Sequence, residues 1–455
     1  MKIRKIKYRN HPILKDLELD LVNPKTDRPY STIVLAGENG TGKTSVLSTL
    51  NTFLCLRSFE PFERIEYEAQ GRKFAAVSTG EAQNDNFGFY NRIDLQTNTS
   101  TRVLSSYNRR EDIKQDLFDL RHYGCVYSKA RADFSVKKIT GTTSLEIDKD
   151  SYDEDNKEDF SSLKQLIIDL QYEDSIIWQE LTEAATKHNA NYDAFLMTAK
   201  MSRFRAAFNN FFETIKYKKV ESSDGEKKVL FTKHNKDIAI DELSTGEKQI
   251  VYRGIYLLRN VGKLDGAAVM IDEPELSMHP KWQKRILKYF KDLFIADDGS
   301  QKTQLFFATH SEYVIGEALK DTNNTLVIVL RDNNGTIEKN EVTAPLLLPT
   351  LVAAEVNYVA FDVASIDYHI ALYGAIQAKY NKHSITDCDQ FIQTQCSPYY
   401  VQATHGVVTN YRGNTYKTLP TKIRNHIDHP DNPYTFTDDE LKTSILLMRD
   451  ILQNI

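Results

Sequence analysis

The sequence has 455 residues, 41% of them hydrophobic and 27% charged, with a formal net charge of −5. That length exceeds one ordinary hydrophobic core, so it predicts one large domain with an insertion, or two to three domains. The composition is that of a globular chain in water, and the negative balance excludes a global basic field as the basis of nucleic-acid binding, leaving only a local basic groove.

The opening MKIRKIKYRN carries charges with no apolar stretch behind them, and nowhere is there an apolar run long enough to span a bilayer. Neither a secretory leader nor a membrane span is expected. Cys55, Cys125, Cys388 and Cys396 match no zinc-ligand spacing and no dense disulfide framework, and they read as thiols of a cytoplasmic protein.

In chain order, Ile3, Ile6 and Tyr8, then Leu17, Leu19 and Leu21, alternate as two strands joined by a turn near 10–12. STIVLAG (31–37) is a short buried strand running into a glycine loop, and TSVLSTLNTFLCL (44–56) follows with apolar residues at helical spacing. Residues 60–109 read as strands and loops, and HYGCVYSK (122–129) as another apolar strand. The acidic run DKDSYDEDNKEDF (148–160) reads as a solvated linker. Beyond it Leu163, Leu166, Ile167 and Leu170, then Phe204, Phe208, Phe211 and Phe212, have the spacing of amphipathic helices, which predicts a helical insertion to about 214. Strand character returns at 227–234 and 237–240, followed by a helix over 249–258, the strand AAVMIDE (267–273), a helix over 281–294, and the strands QLFFATHS (304–311) and NTLVIVLR (324–331). Such alternation predicts a largely parallel sheet covered on both faces. The expected division is a first lobe at 1–147, linker and insertion at 148–214, a second lobe at 215–345 and a mostly helical module at 346–455.

GENGTGKT (37–44) fits G-x-x-x-x-G-K-[ST] at every fixed position. Gly37, Gly40 and Gly42 let the backbone curl so that successive amides, among them those of Glu38, Asn39, Thr41 and Ser45, converge on phosphate at a helix start. Lys43 would reach the β and γ oxygens, and Thr44 would ligate Mg²⁺. In AAVMIDEPE (267–275), Asp272 is placed to hold the same cation and Glu273 to orient or deprotonate the attacking water. His310 ends a further buried strand, where its ring would reach a γ-phosphate oxygen. A second anion-binding helix start stands about 200 residues after the first: Leu243, Ser244, Thr245, Gly246 and Glu247 in DELSTGEKQ (241–249).

Together GENGTGKT, LSTGEKQ, MIDEPELSMHP and FFATHS resemble the Walker A, signature, Walker B with D-loop, and switch histidine of ABC-type ATPases, within the RecF, SMC and OLD-like group. The resemblance covers about 1–140 and 215–335. It implies an α/β ABC-type ATPase head with a mixed β-sheet and flanking helices, ATP and Mg²⁺ as ligands, and a homodimer in which the Ser244 turn of one copy closes on the ATP held by its partner. Thr245 replaces the commoner glycine; no decisive Q-loop glutamine is found, and YSKARADF (127–134) is the expected place of that loop.

More broadly, NHPILKDLELDL (10–21), YSKARADF and LPTKIRNHIDHPDNPYTFTDDEL (419–441) resemble the PtuA ATPases of Septu antiphage systems, particularly those beside retrons. This resemblance implies a sensor in a defence complex, as a homodimer or a higher oligomer. Its C-terminal module would bind partners: an HNH nuclease subunit and, in retron-linked versions, reverse transcriptase with its multicopy single-stranded DNA. Nucleic acid would then be contacted through the complex. No HNH signature or Toprim-like acidic cluster occurs, so cleavage would belong to the partner.

The tail also supports a rival. Arg424, Asn425 and His429 stand in the R-N-x-x-x-H arrangement that resembles HEPN ribonucleases, while the plainer reading has IRNHIDHP ending a surface helix at Pro430, with Asn425 and Asp428 in caps and turns. Thr437 to Glu440 is a capping box that opens a last amphipathic helix. Lys216, Lys218 and Lys219 read either as DNA contacts or as a solvated face. Three classes stay open at this point: an ATP-gated sensor of a separate nuclease, an ATPase with its own ribonuclease tail, and a RecF-like DNA-repair ATPase.

Overall fold

The five residues Thr32–Ala36 are all buried, which a strand achieves only when it is covered on both faces and paired on both edges. The computed structural model, which describes residues 1–81, 84, 87–131, 137–154, 160–184, 191–296, 298–343, 345–411, 413–429 and 431–455, places that strand inside a seven-stranded sheet. Across the sheet the order is Tyr152–Glu154, Cys125–Ser128, Ala268–Asp272, Gln304–Ala308, Thr32–Ala36, Thr325–Asn333 and Thr336–Val342. The first six run parallel, with Tyr127 beside Met270, Met270 beside Phe306, Phe306 beside Ile33, and Ile33 beside Leu326. One strand therefore separates the strand that feeds the glycine loop from the strand that ends in Asp272. Their carboxyl ends share one rim, where an open α/β sheet offers its crevice.

Period-two alternation decides what each face meets. Ala268, Met270, Phe306, Ala308, Ile33, Leu35, Leu326 and Ile328 share a core with Val46, Leu47, Leu50 and Phe53 of the helix Lys43–Leu54. The same core takes in Ile3, Ile6, Ile65 and Tyr67 from a second sheet. That sheet is antiparallel throughout, in the order Glu18–Asp20, Lys2–Tyr8, Phe62–Ala69, Arg72–Ser78, Phe87–Asp94 and Ser100–Ser106. Each large apolar side chain withdrawn this way contributes about 1.5–3 kcal/mol, so the glycine-loop helix is fixed from both sides. Val34, Val269, Ile271, Leu305 and Phe307 on the opposite face are fully buried too. The fold is the mixed α/β arrangement expected.

A three-stranded antiparallel sheet, Ile215–Ser223, Glu226–Lys233 and Lys236–Ala239, leads into the helix Thr245–Leu258. Three insertion helices, Phe160–Ala184, Tyr192–Thr198 and Ser202–Phe211, precede it, and Leu163, Leu166, Ile167 and Leu170 turn inward from the first.

One expectation needs correction. The acidic run is not simply a solvated linker. Asp148 pairs with Arg203 at 3.0 Å and accepts the Gly262 N–H at 2.9 Å, Asp150 pairs with Arg110, and Tyr152–Glu154 forms the edge strand of the central sheet. Residues 155–159 of that run lie outside the described residues. Of the three lysines, Lys218 pairs with Asp237 at 2.7 Å, Lys219 with Glu221 at 2.5 Å, and Lys216 donates to the Phe212 carbonyl at 2.8 Å. All three stay exposed, as on a solvated face, with their charges engaged locally.

The chain divides into two compact units, Met1–Glu341 and Val342–Ile455. The second packs the helices Ile366–Lys379, Leu419–Asp428 and Asp438–Asn454 around Tyr368, Leu372, Ile376, Ile423, Ile445 and Met448. It also carries a hairpin, Gly406–Tyr411 with Asn414–Thr418, within an otherwise helical unit. Among the described residues no single helix is long and apolar enough to cross a membrane.

Candidate functional site

The glycine loop leaves the strand Thr32–Ala36 through Gly37, whose φ is +136°. A Cβ there would lie 2.2 Å from the Leu330 carbonyl oxygen, so only glycine permits this close approach. Glu38, Asn39 and Gly40 are exposed at the loop crest, and the Thr41 hydroxyl donates to the Glu38 carbonyl at 2.9 Å. Gly42, at φ +89°, starts the helix, and Lys43, Thr44 and Ser45 form its first turn. The buried Lys43 ammonium donates to the Gly37 carbonyl at 2.9 Å and the Glu38 carbonyl at 2.7 Å, which draws the loop around it. Burial pushes the Lys43 pKa down to about 8, against the pull of Asp272 and Glu273.

Across the crevice, the Thr44 hydroxyl stands 3.0 and 3.3 Å from the two Asp272 carboxylate oxygens, and the Tyr127 hydroxyl donates to Asp272 at 3.4 Å. Burial, reinforced by Glu273, raises the Asp272 pKa from its ordinary value. These residues fit a magnesium-bound triphosphate. The loop backbone curls at a helix N-terminus, an ammonium sits inside it, and a hydroxyl faces a carboxylate where a hard cation takes oxygen ligands.

Glu273 has φ +44°, a left-handed conformation that costs a glutamate about 1–3 kcal/mol and persists only where its surroundings fix it. Here the fixing groups are visible: the Glu273 N–H donates to the Ala308 carbonyl at 2.9 Å, and the Arg253 guanidinium donates to the Glu273 carbonyl at 3.1 Å. Its carboxylate lies 3.8 Å from His310 Nε2. Burial first, and Lys43 second, lower the His310 pKa, so its ring is neutral near pH 7. The glycine loop, Asp272, Glu273 and His310 are therefore brought to one rim.

Ser244 caps the helix Thr245–Leu258 in a capping box. Its hydroxyl accepts the Glu247 N–H at 3.4 Å, and the Glu247 carboxylate accepts the Ser244 N–H at 2.8 Å and the Lys233 ammonium at 2.6 Å. Burial works against the Glu247 charge, but Lys233 and the Ser244 N–H hold its carboxyl below the ordinary range. A Cβ on Gly246 would meet the Ser277 carbonyl oxygen at 2.7 Å, so the signature turn is seated on the turn that follows Asp272 and Glu273. Among the described residues, Ser244 hydrogen-bonds only within its own helix start, and nothing joins it to the glycine loop of the same chain.

The remaining expected residues separate. Lys129 and Arg131 of 127–134 offer their carbonyls to Arg253 (2.9 Å) and Gln249, whereas residues 132–134 of that stretch lie outside the described residues. In the tail, Arg424 pairs with Asp428 at 2.6 Å and donates to Asn425 Oδ1 at 3.2 Å, while the His429 ring stacks on Tyr411. Among the described residues Arg424 and His429 share no hydrogen bond or ion pair. Asn425 is buried rather than capping a surface turn, and Pro430 lies outside the described residues.

Sequence reasoning missed Glu275 and Gln283. The second carboxylate of Asp-Glu-Pro-Glu was a signal for the first. Gln283 gave none, because its partner Ser311 is 28 residues away.

Solved structures similar to this chain include three of SMC heads. They are the SmcHead bound to the C-winged helix domain of ScpA (12% identity, covering 76% of this chain and 99% of that one, TM-score 0.40) and the SMC head domain from Thermotoga maritima (14%, 76% and 100%, 0.38). The third is the Smc head domain with an extended coiled coil bound to the C-terminal domain of ScpA derived from Pyrococcus furiosus (11%, 75% and 96%, 0.38). The family described as "AAA domain, putative AbiEii toxin, Type IV TA system" matches residues 33–316, and over that majority of its length the chain belongs to this family and is an ATPase of the AAA class.

Proposed function

We propose that the chain closes as a homodimer around two ATP molecules and serves as the sensor subunit of an antiphage complex that restrains or releases a separate HNH nuclease. The observation that carries the nucleotide half is the Thr44 to Asp272 pair at 3.0 Å beside the Lys43-filled glycine loop. In this reading the amides from Glu38 to Ser45 and the Lys43 ammonium bind the triphosphate. Thr44 and Asp272 hold Mg²⁺, which when bound supplies charge neutralisation across the phosphates. Glu273 accepts a proton from the attacking water, and the His310 ring donates a hydrogen bond to the terminal phosphate.

The dimer half is supported by the signature turn. It is a helix N-terminus whose serine reaches no group of its own glycine loop, so its polarity is available to a phosphate on another copy. The defence role and its partners rest on the likeness of 10–21, 127–134 and 419–441 to PtuA ATPases.

Mass measurement of the complex purified from its native operon tests the assembly. The expected species holds two or more copies of this chain together with a nuclease subunit. A chain that purifies alone and cuts RNA, losing that activity in Arg424→Ala or His429→Ala, would establish the ribonuclease-tail reading instead.

A further inference from the structure

The turn after Asp272 and Glu273 is tied at both ends to the segment that carries His310. At one end Glu275 is half-buried, and its Oε1 accepts the Thr309 hydroxyl and the His310 backbone N–H, each at 2.8 Å. At the other, Gln283 Nε2 donates to the Met278 carbonyl at 2.9 Å, while Gln283 Oε1 accepts the Ser311 hydroxyl at 2.7 Å. Ser311 in turn accepts the Tyr313 N–H at 3.2 Å as the cap of the next helix. Three consecutive residues, Thr309, His310 and Ser311, are thus fixed by two side chains, Glu275 in that turn and Gln283 in the helix Pro280–Asp292 that follows it. Among the described residues, the side-chain hydrogen bonds of Glu275 and Gln283 run to that segment and to the Met278 carbonyl, and none runs to the glycine loop.

We infer that Glu275 and Gln283 are positioning residues for ATP hydrolysis, holding the His310 main chain so that its ring stays 3.8 Å from the Glu273 carboxylate. The inference rests on the ATPase reading above and adds two residues that lie outside the glycine loop. A main chain held by hydrogen bonds to one carboxylate oxygen shifts when that oxygen is removed, and displacements of about 1 Å near a reacting centre lower turnover on the order of 10²-fold. Substrate affinity, set by the glycine loop and Lys43, stays where it was. The second Glu275 oxygen, Oε2, is buried and has no hydrogen-bond partner among the described residues, so a glutamine amide keeps the acceptor that matters.

Steady-state ATP hydrolysis by the full chain, with thermal melting as the folding control, tests this. Glu275→Ala should lower kcat on the order of 10²-fold with KM for ATP nearly unchanged, and Glu275→Gln should restore kcat to within about threefold of the parent. Gln283→Ala, at a half-buried helix position where folding is not at stake, should lower kcat about fivefold, again with KM unchanged. Parent kcat in both alanine variants, or a loss that falls on KM, overturns the inference while leaving the ATPase reading intact. A folded parent that neither binds nor hydrolyses ATP overturns both.

Discussion

Glu273 illustrates how far single residues can be read. The Asp-Glu-Pro-Glu string at the end of an apolar strand identifies a carboxylate at a sheet rim, but its left-handed backbone and the Arg253 bond that holds it depend on residues distant in sequence. Lys43 and Thr44 were legible because their motif is local and the helix beginning at Lys43 fixes their directions. Arg424 and His429 were not, because spacing along a chain says nothing of the Asp428 and Tyr411 that engage them. At this scale Lys43→Ala should abolish ATP binding, since it removes the only ammonium inside the loop among the described residues. Glu273→Gln should bind ATP normally, accumulate closed dimers and lose turnover by about 10²–10⁴-fold, the usual weight of a general base. Equilibrium binding and hydrolysis on the same samples check both, and parent turnover in Glu273→Gln would remove that residue from the base role.

Among elements, the buried strands and amphipathic helices announced themselves by period, and Thr437 with Glu440 does form the capping box that opens the helix Asp438–Asn454. The edge strand Tyr152–Glu154 did not, because three residues amid carboxylates show no alternation and are selected by pairing with Cys125, Val126 and Tyr127. The hairpin at 406–418 was hidden likewise by a polar composition. In the C-terminal unit the helix Ile366–Lys379 buries His369 completely, with Nε2 2.9 Å from the Ser444 hydroxyl. Burial pushes its pKa from 6.5 down to about 3. The unfolded chain therefore binds a proton that the folded chain refuses between those values, so the stabilisation is complete above pH 6.5 and is lost as pH falls towards 3. By pH 5 the loss is about 2 kcal/mol. Hydrogen exchange over 366–379 should accelerate accordingly between pH 7 and pH 5, after correction for intrinsic rates, and His369→Phe should flatten that dependence. An unchanged dependence in the variant would assign the acid sensitivity to other groups.

For the molecule as a whole, the order of motifs made the ATPase head legible, and the parallel sheet places the glycine loop, Asp272, Glu273 and His310 at one rim. The pairing of copies was legible only as an implication, since no spacing within one chain states which triphosphate a second helix start will meet. The central claim is that the turn at Ser244 completes the site of another copy, and subunit mixing tests it most directly. A chain with Ser244→Arg and a chain with Lys43→Ala, each inactive alone, form a heterodimer in which one site combines an intact glycine loop with an intact signature. Random pairing of equal amounts should restore about a quarter of the parent ATPase activity. Activity no greater than the sum of the two separate preparations, under conditions where heterodimers are shown to form, would contradict the account.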